Sequence, residues 1–237
     1  MFKPFYYSLL LQLLFLQYSQ AQLNSVPSEY YLAFDSIIGV ENSGLYNGKR
    51  YIERYRSSED NHHFFKDYNF VDGSVVYNNQ PFFNLKIKYD LYEDVLVANL
   101  KGDKKFFNMV FINQQVHEFN IHGHYFVNIN AYSSSDNFSG FAELLYTQND
   151  VSLLKKHLKE KKDKIKGQTV FHEFKARSIY LVLINGSLTT IKSKKDFKNI
   201  YPEKYSEINS FYKENKFLQE KNSDSFMIRL IDEINKI

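Results

Sequence analysis

The sequence of 237 residues contains no cysteine and no tryptophan, and it has only nine glycines and four prolines. Without cysteine the chain can form no disulfide framework, and it offers no attachment point for the lipid of a bacterial lipoprotein. Its stability must therefore come from an ordinary hydrophobic core.

Locally encoded catalytic motifs are also missing. The sequence has no phosphate-cradling glycine loop, dinucleotide fingerprint, nucleophile elbow or helical zinc-protease motif. We therefore assign no catalytic residue, no cofactor and no metal from the sequence, and we favour a protein that is not an enzyme. A site assembled from residues far apart along the chain leaves no such pattern, so enzymatic activity stays open.

An excess of one charge is absent as well. Lysine and arginine number 30 against 27 aspartates and glutamates, which gives a formal net charge of +3. Only five of the cationic residues are arginine, the side chain that reads phosphates and bases best. This balance does not predict nucleic-acid binding.

One strongly apolar run is present, from Phe5 to Leu16. It follows Lys3 and precedes Ser19-Gln20-Ala21, which places small residues at the two positions that signal peptidase reads. A run of about a dozen residues is too short to span a membrane. We predict that residues 1–21 are a cleavable secretory signal peptide. No second run of spanning length follows, so the mature chain is expected to be soluble and exported, either to the periplasm or outside the cell.

From about Leu45 to Ile191 the pattern is that of strands and turns. The clearest prediction is a β-hairpin whose arms, Gly73–Tyr77 and Pro81–Asp90, flank Asn78-Asn79-Gln80. Alternation in the second arm places four apolar side chains on one face, namely Phe83, Leu85, Ile87 and Tyr89. These signals indicate a half-buried antiparallel pair.

Further strands are predicted at roughly ten-residue spacing, with turns at Lys101-Gly102-Asp103, His122-Gly123 and Asn185-Gly186. They are Asp94–Leu100, Phe106–Ile112, Val116–Ile121, Tyr125–Ile129, Phe141–Tyr146, Ser152–Leu158, Thr169–Phe174, Ile179–Ile184 and Leu188–Ile191. The spacing indicates an antiparallel meander, of which a partly open barrel or half-barrel is one form. Phe106–Ile112 is apolar on both faces, which predicts a central strand covered on each side.

After Ile191 the apolar period changes from two to 3.6. Ser193 and Asp196 resemble a capping box, and Pro202 suits the start of a second helix. The expected apolar faces of the second and third helices are Tyr205, Ile208, Phe211 and Tyr212, and then Phe226, Met227, Leu230, Ile231 and Ile234. We expect these helices to cover the central strand. The predicted organisation is a signal peptide (1–21), an antiparallel β domain (22–191) and a helical tail packed on the sheet (192–237), α+β overall.

Three histidines cluster at His117, His122 and His124, and imidazole is a common zinc or copper ligand. On a strand His122 and His124 share a face, but His117 has the opposite parity. No carboxylate or thiolate stands at a fixed offset to complete a coordination sphere. We favour turn and surface positions over a metal site. The neighbouring His62 and His63 would point apart in an extended chain and are weaker candidates.

Paired carboxylates can divide acid and base catalysis, and Asp90 and Asp94 follow the predicted hairpin. Because Asp also serves turns by accepting bonds from its own backbone, we favour a structural role for both.

Seven lysines fall within Lys155–Lys166. This run is interpreted as a solvated hairpin tip or short exposed helix, with weak contact to anionic surfaces as the functional alternative.

Several segments taken together resemble a group of uncharacterised secreted β-rich proteins from Gram-negative bacteria with AT-rich genomes. The segments are Gly39–Tyr51, His62–Phe65, Gly73–Tyr77 and Lys88–Asp90. The group shares a signal peptide, a Tyr-Asn-Gly turn, the following hairpin and a lysine-rich helical tail like Lys194–Lys216. The resemblance spans most of the mature chain and implies an exported, soluble protein. It implies no activity and no functional residue.

These observations favour an exported binding or accessory protein of the cell envelope, one that holds an apolar ligand between sheet and helices. A cell-envelope hydrolase acting on glycans or peptides is the first alternative, and a structural partner in an envelope complex is the second. The binding interpretation predicts a cavity, and the hydrolase an open cleft with two carboxyl groups.

Overall fold

A computed structural model describes residues 28–38, 44–55, 57, 60–101, 105–134 and 138–235. The predicted signal peptide lies outside these residues, as do Gly102 and Asp103 of the predicted turn. Among the described residues, no helix is both long enough and apolar enough to span a membrane.

Twelve strands within the described residues form one sheet in the order β1-β5-β4-β3-β2-β6-β7-β9-β10-β11-β12-β8. They are β1 (Lys49–Arg50), β2 (Val71–Tyr77), β3 (Gln80–Asp90), β4 (Val95–Lys101), β5 (Phe106–Val110), β6 (Val116–Ile121), β7 (His124–Asn128), β8 (Ser133–Ser134), β9 (Phe141–Gln148), β10 (Val151–Lys166), β11 (Thr169–Ile184) and β12 (Ser187–Ile191). All pairs are antiparallel except β12 with β8. The sheet is open, because β1 and β8 at its ends do not pair with each other.

Within the described residues, five α-helices accompany the sheet: α1 (Ser28–Ile38), α2 (Lys194–Ile200), α3 (Tyr205–Glu214), α4 (Lys216–Lys221) and α5 (Ser223–Asn235). Short 3-10 helices cover Gly44–Tyr46, Asn113–Gln115 and Pro202–Lys204. The predicted class, mainly antiparallel β with short C-terminal helices, is confirmed. Helices α1 and α4 have no counterpart in the sequence predictions.

The predicted hairpin of β2 and β3 is confirmed, but its face assignment is partly wrong. Asn78 and Asn79 form the two-residue turn with φ of 52° and 66°. A bulge then shifts the register, and Asn84 has a φ of 54°. The extra residue reverses the parity, so Phe82 rather than Phe83 is fully buried. Ile87 and Tyr89, beyond the bulge, face the core as predicted.

A cluster of buried aromatic rings shows that the sheet is curled. Tyr89 of β3 lies 5.2 Å from Phe119 of β6 and 5.9 Å from Phe141 of β9, measured between ring centroids. Three strands separate β3 from β9 in the sheet order. A flat sheet would hold these rings far apart, because neighbouring strands are spaced about 4.8 Å. The sheet therefore wraps around this cluster without closing into a barrel.

An ion pair between the buried Lys156 and the partly exposed Asp94 joins the two sides of the curl. Lys156 of β10 donates to Asp94 Oδ2 at 2.6 Å and to the Ser139 carbonyl at 2.8 Å. Tyr89 donates to the other oxygen of Asp94 at 2.5 Å. A Cβ atom on Gly140 would stand 1.7 Å from Asp94 Oδ2, so only glycine leaves room for the carboxylate. The turn after β3 is thus fixed to the middle of β10.

The predicted central position of Phe106–Ile112 is wrong. Strand β5 lies next to the edge, paired on one side only with the two residues of β1. Met109 and Phe111 are buried, whereas Phe106 is 62% exposed. The second apolar face of β5 borders open cavities instead of a covering layer. Strand β5 is apolar on both faces because one face borders a groove. The alternation of residues along a strand cannot distinguish a face that lines a groove from one that is covered by another layer.

The C-terminal helices consequently cover other strands. Helix α5 contacts β9 and β10, and α2 contacts β12. The Asp196 carboxylate accepts from the Ser193 N–H at 2.7 Å, as the predicted capping box requires. The predicted stripe of the last helix is buried, comprising Phe226, Met227, Leu230, Ile231 and Ile234. These side chains pack with Leu153 and Val182 of the sheet into one core.

Replacing Ile231 by alanine should lower the free energy of unfolding by about 2–5 kcal/mol, because this fully buried side chain joins helix and sheet. Phe217→Ala is the control: that ring is 73% exposed and should cost at most about 0.5 kcal/mol. Urea unfolding measures both. Equal losses for the two variants would contradict the packing of α5.

Candidate functional site

A buried polar cluster is built around the segment that follows β1. Gly48 precedes the strand, and a Cβ there would stand 2.2 Å from the Val110 carbonyl oxygen. This close approach lets Lys49 and Arg50 pair with β5, and the Tyr51 N–H continues the pairing by donating to the Asn108 carbonyl at 2.9 Å. The side chain of Tyr51 is thereby held at a fixed place.

Tyr51, His63 and Asp90 meet at this place. The Tyr51 hydroxyl donates to Asp90 Oδ2 at 2.9 Å and lies 3.2 Å from His63 Nε2. His63 Nε2 is 3.5 Å from Asp90 Oδ2. His63 is positioned by its carbonyl, which accepts from the Leu91 N–H at 2.9 Å. The side chains of His63 and Asp90 are completely buried.

Asp90 has two roles, one of which was predicted. Its Oδ1 accepts from the N–H groups of Tyr92 and Glu93, both at 3.0 Å, as expected of a turn aspartate. Its Oδ2 faces Tyr51 and His63. Burial raises the pKa of Asp90 to about 6, even though the backbone and Tyr51 bonds favour the charged form. Asp90 can therefore exchange a proton near neutral pH.

His63 is pushed in the opposite direction. Burial, with the positive charge of Lys88 as a second cause, lowers its pKa to about 4. Its ring lies 4.0 Å from Phe64 and 5.0 Å from Phe174, measured between centroids. Within the described residues, His63 Nδ1 is buried and has no hydrogen-bond partner. His63 is thus a neutral imidazole in an aromatic surrounding.

Two cavities adjoin this cluster. The larger, called the β1 groove here, has a volume of about 780 Å³ and is lined by Tyr46, Gly48, Arg50, Tyr51, Asn99, Lys105, Phe106, Phe107, Asn108 and Met109. The smaller, called the inner cavity, has about 210 Å³ and is lined by Lys49, Arg50, Tyr51, Ile52, Arg54, Tyr55, Asp90, Glu93, Val95 and Val110. They share Arg50 and Tyr51, so they meet at β1.

The β1 groove combines three kinds of side chain. Tyr46 and Phe107 form an aromatic pair with centroids 5.8 Å apart. Asn99 donates to Asn108 Oδ1 at 2.7 Å, which leaves one N–H of Asn99 and the amide N–H groups of Asn108 for other partners. Cationic side chains lie at the rim. The groove can therefore contact apolar surface, hydroxyl groups and negative charge together.

Four cations border the two cavities: Lys49, Arg50, Arg54 and Lys105. None of them takes part in an ion pair among the described residues. The acidic residues of the inner cavity are engaged otherwise, since Glu93 accepts a hydrogen bond from Tyr55 and Asp90 from Tyr51. The exposed charge around the site is therefore mainly positive.

Of the three clustered histidines, His122 and His124 both contact the ring of Phe65. His117 is exposed on β6, and His122 lies in the turn before β7. His124 is hydrogen-bonded to Glu143, whose other oxygen is 2.6 Å from His157 Nε2. Burial opposes the charge of Glu143, but the two histidine bonds outweigh it and lower its pKa. No group of three or more His, Asp or Glu side chains in the described part of the chain is placed to hold a metal ion.

Asp94 and the lysine run are found elsewhere. Asp94 is ion-paired with Lys156 and does not line either cavity at β1. Lys155–Lys166 lies in the long hairpin of β10 and β11, so the helix alternative is wrong. The hairpin alternative is right about the strand structure but wrong about solvation at Lys156, which is buried and paired with Asp94. The predicted strands Thr169–Phe174 and Ile179–Ile184 are one continuous strand.

Comparisons of the chain with protein-family models, with curated proteins and with solved structures found no match. The functional argument therefore rests on geometry and chemistry alone.

Sequence reasoning placed Asp90 in a structural role, gave His63 little weight and missed Tyr51. The reason is distance along the chain: Tyr51 is 12 residues from His63 and 39 from Asp90. No spacing rule connects such positions. The only local signal was Gly48 before two cations, which is too common to indicate a site.

The opposed pKa shifts of Asp90 and His63 predict the pH dependence of two variants. With its pKa raised from 3.8 to about 6, Asp90 contributes stability that is present below pH 3.8 and lost as the pH rises to about 6. With its pKa lowered from 6.5 to about 4, His63 contributes stability that is present above pH 6.5 and lost as the pH falls to about 4. In the native protein the two effects oppose each other over this window.

Asp90→Asn should therefore become more stable, relative to the native protein, as the pH rises from about 4 to 6.5. His63→Asn should become relatively less stable over the same range. Each change amounts to about 3 kcal/mol for a shift of about two pKa units. Urea unfolding at several pH values measures this. Parallel profiles for the native protein and both variants would contradict the assignment.

Proposed function

We propose that this protein is an exported binding protein of the cell envelope and that it binds an acidic carbohydrate in the β1 groove. The observation that carries the proposal is the joint lining of the groove by aromatic rings, an amide pair and cations without ion-pair partners among the described residues. Its volume of about 780 Å³ lies in the range of ligand sites, about 300–1,000 Å³.

Each part of this lining suits one part of a sugar acid. The C–H face of a sugar ring is apolar and packs on an aromatic ring such as Phe106 or Phe107. Ring hydroxyls both donate and accept, which the amides of Asn99 and Asn108 can match. A carboxylate or phosphate substituent pairs with Arg50, whose guanidinium suits planar bidentate contact. A purely apolar ligand would leave the amides and cations without partners.

The groove is preferred over the space between sheet and helices, where the sequence favoured an apolar ligand. The cavity there, bordered by Tyr180, Ile191 and Phe226, has a volume of about 160 Å³. The surrounding side chains form a continuous core. We therefore place the ligand at β1. The proposal that the protein is exported rests on the signal peptide predicted for residues 1–21. A role as a structural partner in an envelope complex stays a prediction.

Binding is tested by calorimetric titration of the purified mature chain with oligogalacturonate and with a neutral glucose oligomer of equal length. Phe106→Ala should weaken binding of both about tenfold if the neutral oligomer binds at all, whereas Arg50→Gln should weaken only the acidic one, about tenfold. Both side chains are exposed, so the fold should persist.

Phe217→Ala and Lys216→Gln, on the exposed side of α4, are the matched controls and should leave the titrations unchanged. Failure of a panel of carboxylated and phosphorylated oligosaccharides to bind would contradict the proposal. An equal loss in the control variants would show that the effect is not local to the groove.

A second candidate function, a cell-envelope hydrolase acting on glycans or peptides, is supported by one observation. Asp90 and Glu93 both line the inner cavity, and the pKa of Asp90, raised by burial, is about 6. A carboxyl group whose pKa is raised toward neutral pH suits a general acid, and a second carboxylate can serve as base or nucleophile. Asp94 has no part in this candidate.

The hydrolase is tested by the release of reducing ends from oligogalacturonate and of soluble fragments from peptidoglycan. If it is an enzyme, Asp90→Asn should abolish release while keeping the turn acceptor, and the exposed control Asp72→Asn should retain full activity. If the native protein releases no product but binds in the titration above, the hydrolase is contradicted and binding remains as the proposed function.

We also propose that the lysine run of the β10–β11 hairpin contacts anionic surfaces. It is supported by the exposure of Lys162 and Lys164 and by the projection of this hairpin beyond the rest of the sheet.

A further inference from the structure

The β10–β11 hairpin extends as a free two-stranded ribbon. Strand β10 pairs with β9 only as far as Lys155, and β11 pairs with β12 only from Tyr180. Between these points, in the described residues, the two strands pair only with each other, from Lys156 with Ile179 to Lys166 with Thr169. The ribbon is anchored near its middle, where Phe174 exchanges hydrogen bonds with the side chain of Asn61. The name ribbon tip is used here for residues 161–175, which include the anchored Phe174 and the turn beyond it.

The ribbon tip exposes large apolar side chains. Ile165 is 78% exposed, Val170 47% and Phe171 38%. Ile165 pairs directly with Val170, and Phe171 pairs with Lys164. Paired residues share a face of the ribbon, so apolar groups project from both faces next to the turn at Gly167. Exposing large apolar side chains to water is unfavourable, so their clustering at the ribbon tip indicates an interaction site.

The same tip is strongly cationic. It contains five lysines against two acidic residues, Asp163 and Glu173. Asp163 already accepts from Lys161 and His172, both at 2.9 Å, and Glu173 lies 3.6 Å from Lys164 Nζ. Among the described residues, Lys162 and Lys175 have no ion-pair partner. Positive charge thus surrounds the apolar groups.

We propose that the ribbon tip docks on an anionic lipid bilayer, with Ile165, Val170 and Phe171 entering the headgroup region and the lysines facing lipid phosphates. The inference deepens, and rests on, the proposed contact of the lysine run with anionic surfaces. Interfacial binding combines apolar insertion with attraction of basic residues to anionic lipid, and the tip supplies both within one turn. The aliphatic part of a lysine side chain can also pack at the boundary between headgroups and acyl chains while its ammonium group reaches the lipid phosphates.

The shape of the tip favours a bilayer over a folded protein or a glycan. A specific protein interface buries about 800 Å² on each partner, which requires a broad face. A two-stranded tip with apolar groups on both faces offers no such face, but it can be surrounded by lipid. A glycan would satisfy the lysines and leave Ile165 in water.

The test is flotation of the purified mature chain with vesicles of equal parts phosphatidylglycerol and phosphatidylcholine, and with vesicles of phosphatidylcholine alone. The native protein should float with the anionic vesicles only. The variants Ile165→Ser/Phe171→Ser and Lys162→Gln/Lys175→Gln should each lose about tenfold or more in partition. Phe217→Ser and Lys213→Gln/Lys221→Gln are the matched controls and should float like the native protein.

Several results would overturn the proposal. They are no flotation of the native protein, equal flotation with neutral vesicles, or equal losses in the control variants. If the lysine variant loses binding and the apolar variant keeps it, contact with anionic surfaces stands but insertion fails. Thermal unfolding confirms that each variant is folded. Oligogalacturonate titration of the tip variants should match that of the native protein, so failure at the membrane and failure of the β1 groove are told apart.

Discussion

The curl of the sheet depends on the ion pair between the buried Lys156 and Asp94. Lys156 is almost wholly removed from water, and that burial lowers its pKa while Asp94 counteracts the shift. A buried charge without its partner costs about 3–5 kcal/mol, so this pair is stable only when both sides of the curl are in place. Gly140 supplies the space that the carboxylate needs. The contact therefore acts as a geometric clamp more than as a source of net stability.

The Tyr51–His63–Asp90 cluster and the ribbon tip both depend on where that clamp holds the β10–β11 hairpin. With the middle of β10 held against the turn after β3, the ribbon crosses the Tyr51–His63–Asp90 cluster. Phe174 of β11 lies 5.0 Å from His63 and 5.6 Å from Tyr92, measured between ring centroids. This cover removes water from His63 and Asp90 and so produces their opposite pKa shifts. The remainder of the ribbon projects past the cover and exposes its apolar, lysine-rich tip.

The two ends of the sheet are consequently used in different ways. At the β9–β12 end, helices α2, α3 and α5 bury the sheet face in a filled core. At the β1 end, Phe106 and Phe107 of β5 line a groove. Apolar residues that complete a core at one end thus form a candidate binding surface at the other, because the C-terminal helices cover only the first among the described residues.

Local chemistry in the sequence determined the hairpin of β2 and β3, the Asn185-Gly186 turn and the stripe of α5, since turn propensity and apolar period act over a few residues. The tertiary structure alone decided that β5 lies near an edge, that Asn84 forms a bulge and that β11 is continuous. It also decided the site, because Tyr51, His63 and Asp90 meet through pairing and curling of strands distant in sequence. The burial of these side chains and the resulting shifts in their pKa values arise only in the folded protein. They cannot be read from the sequence around any one residue.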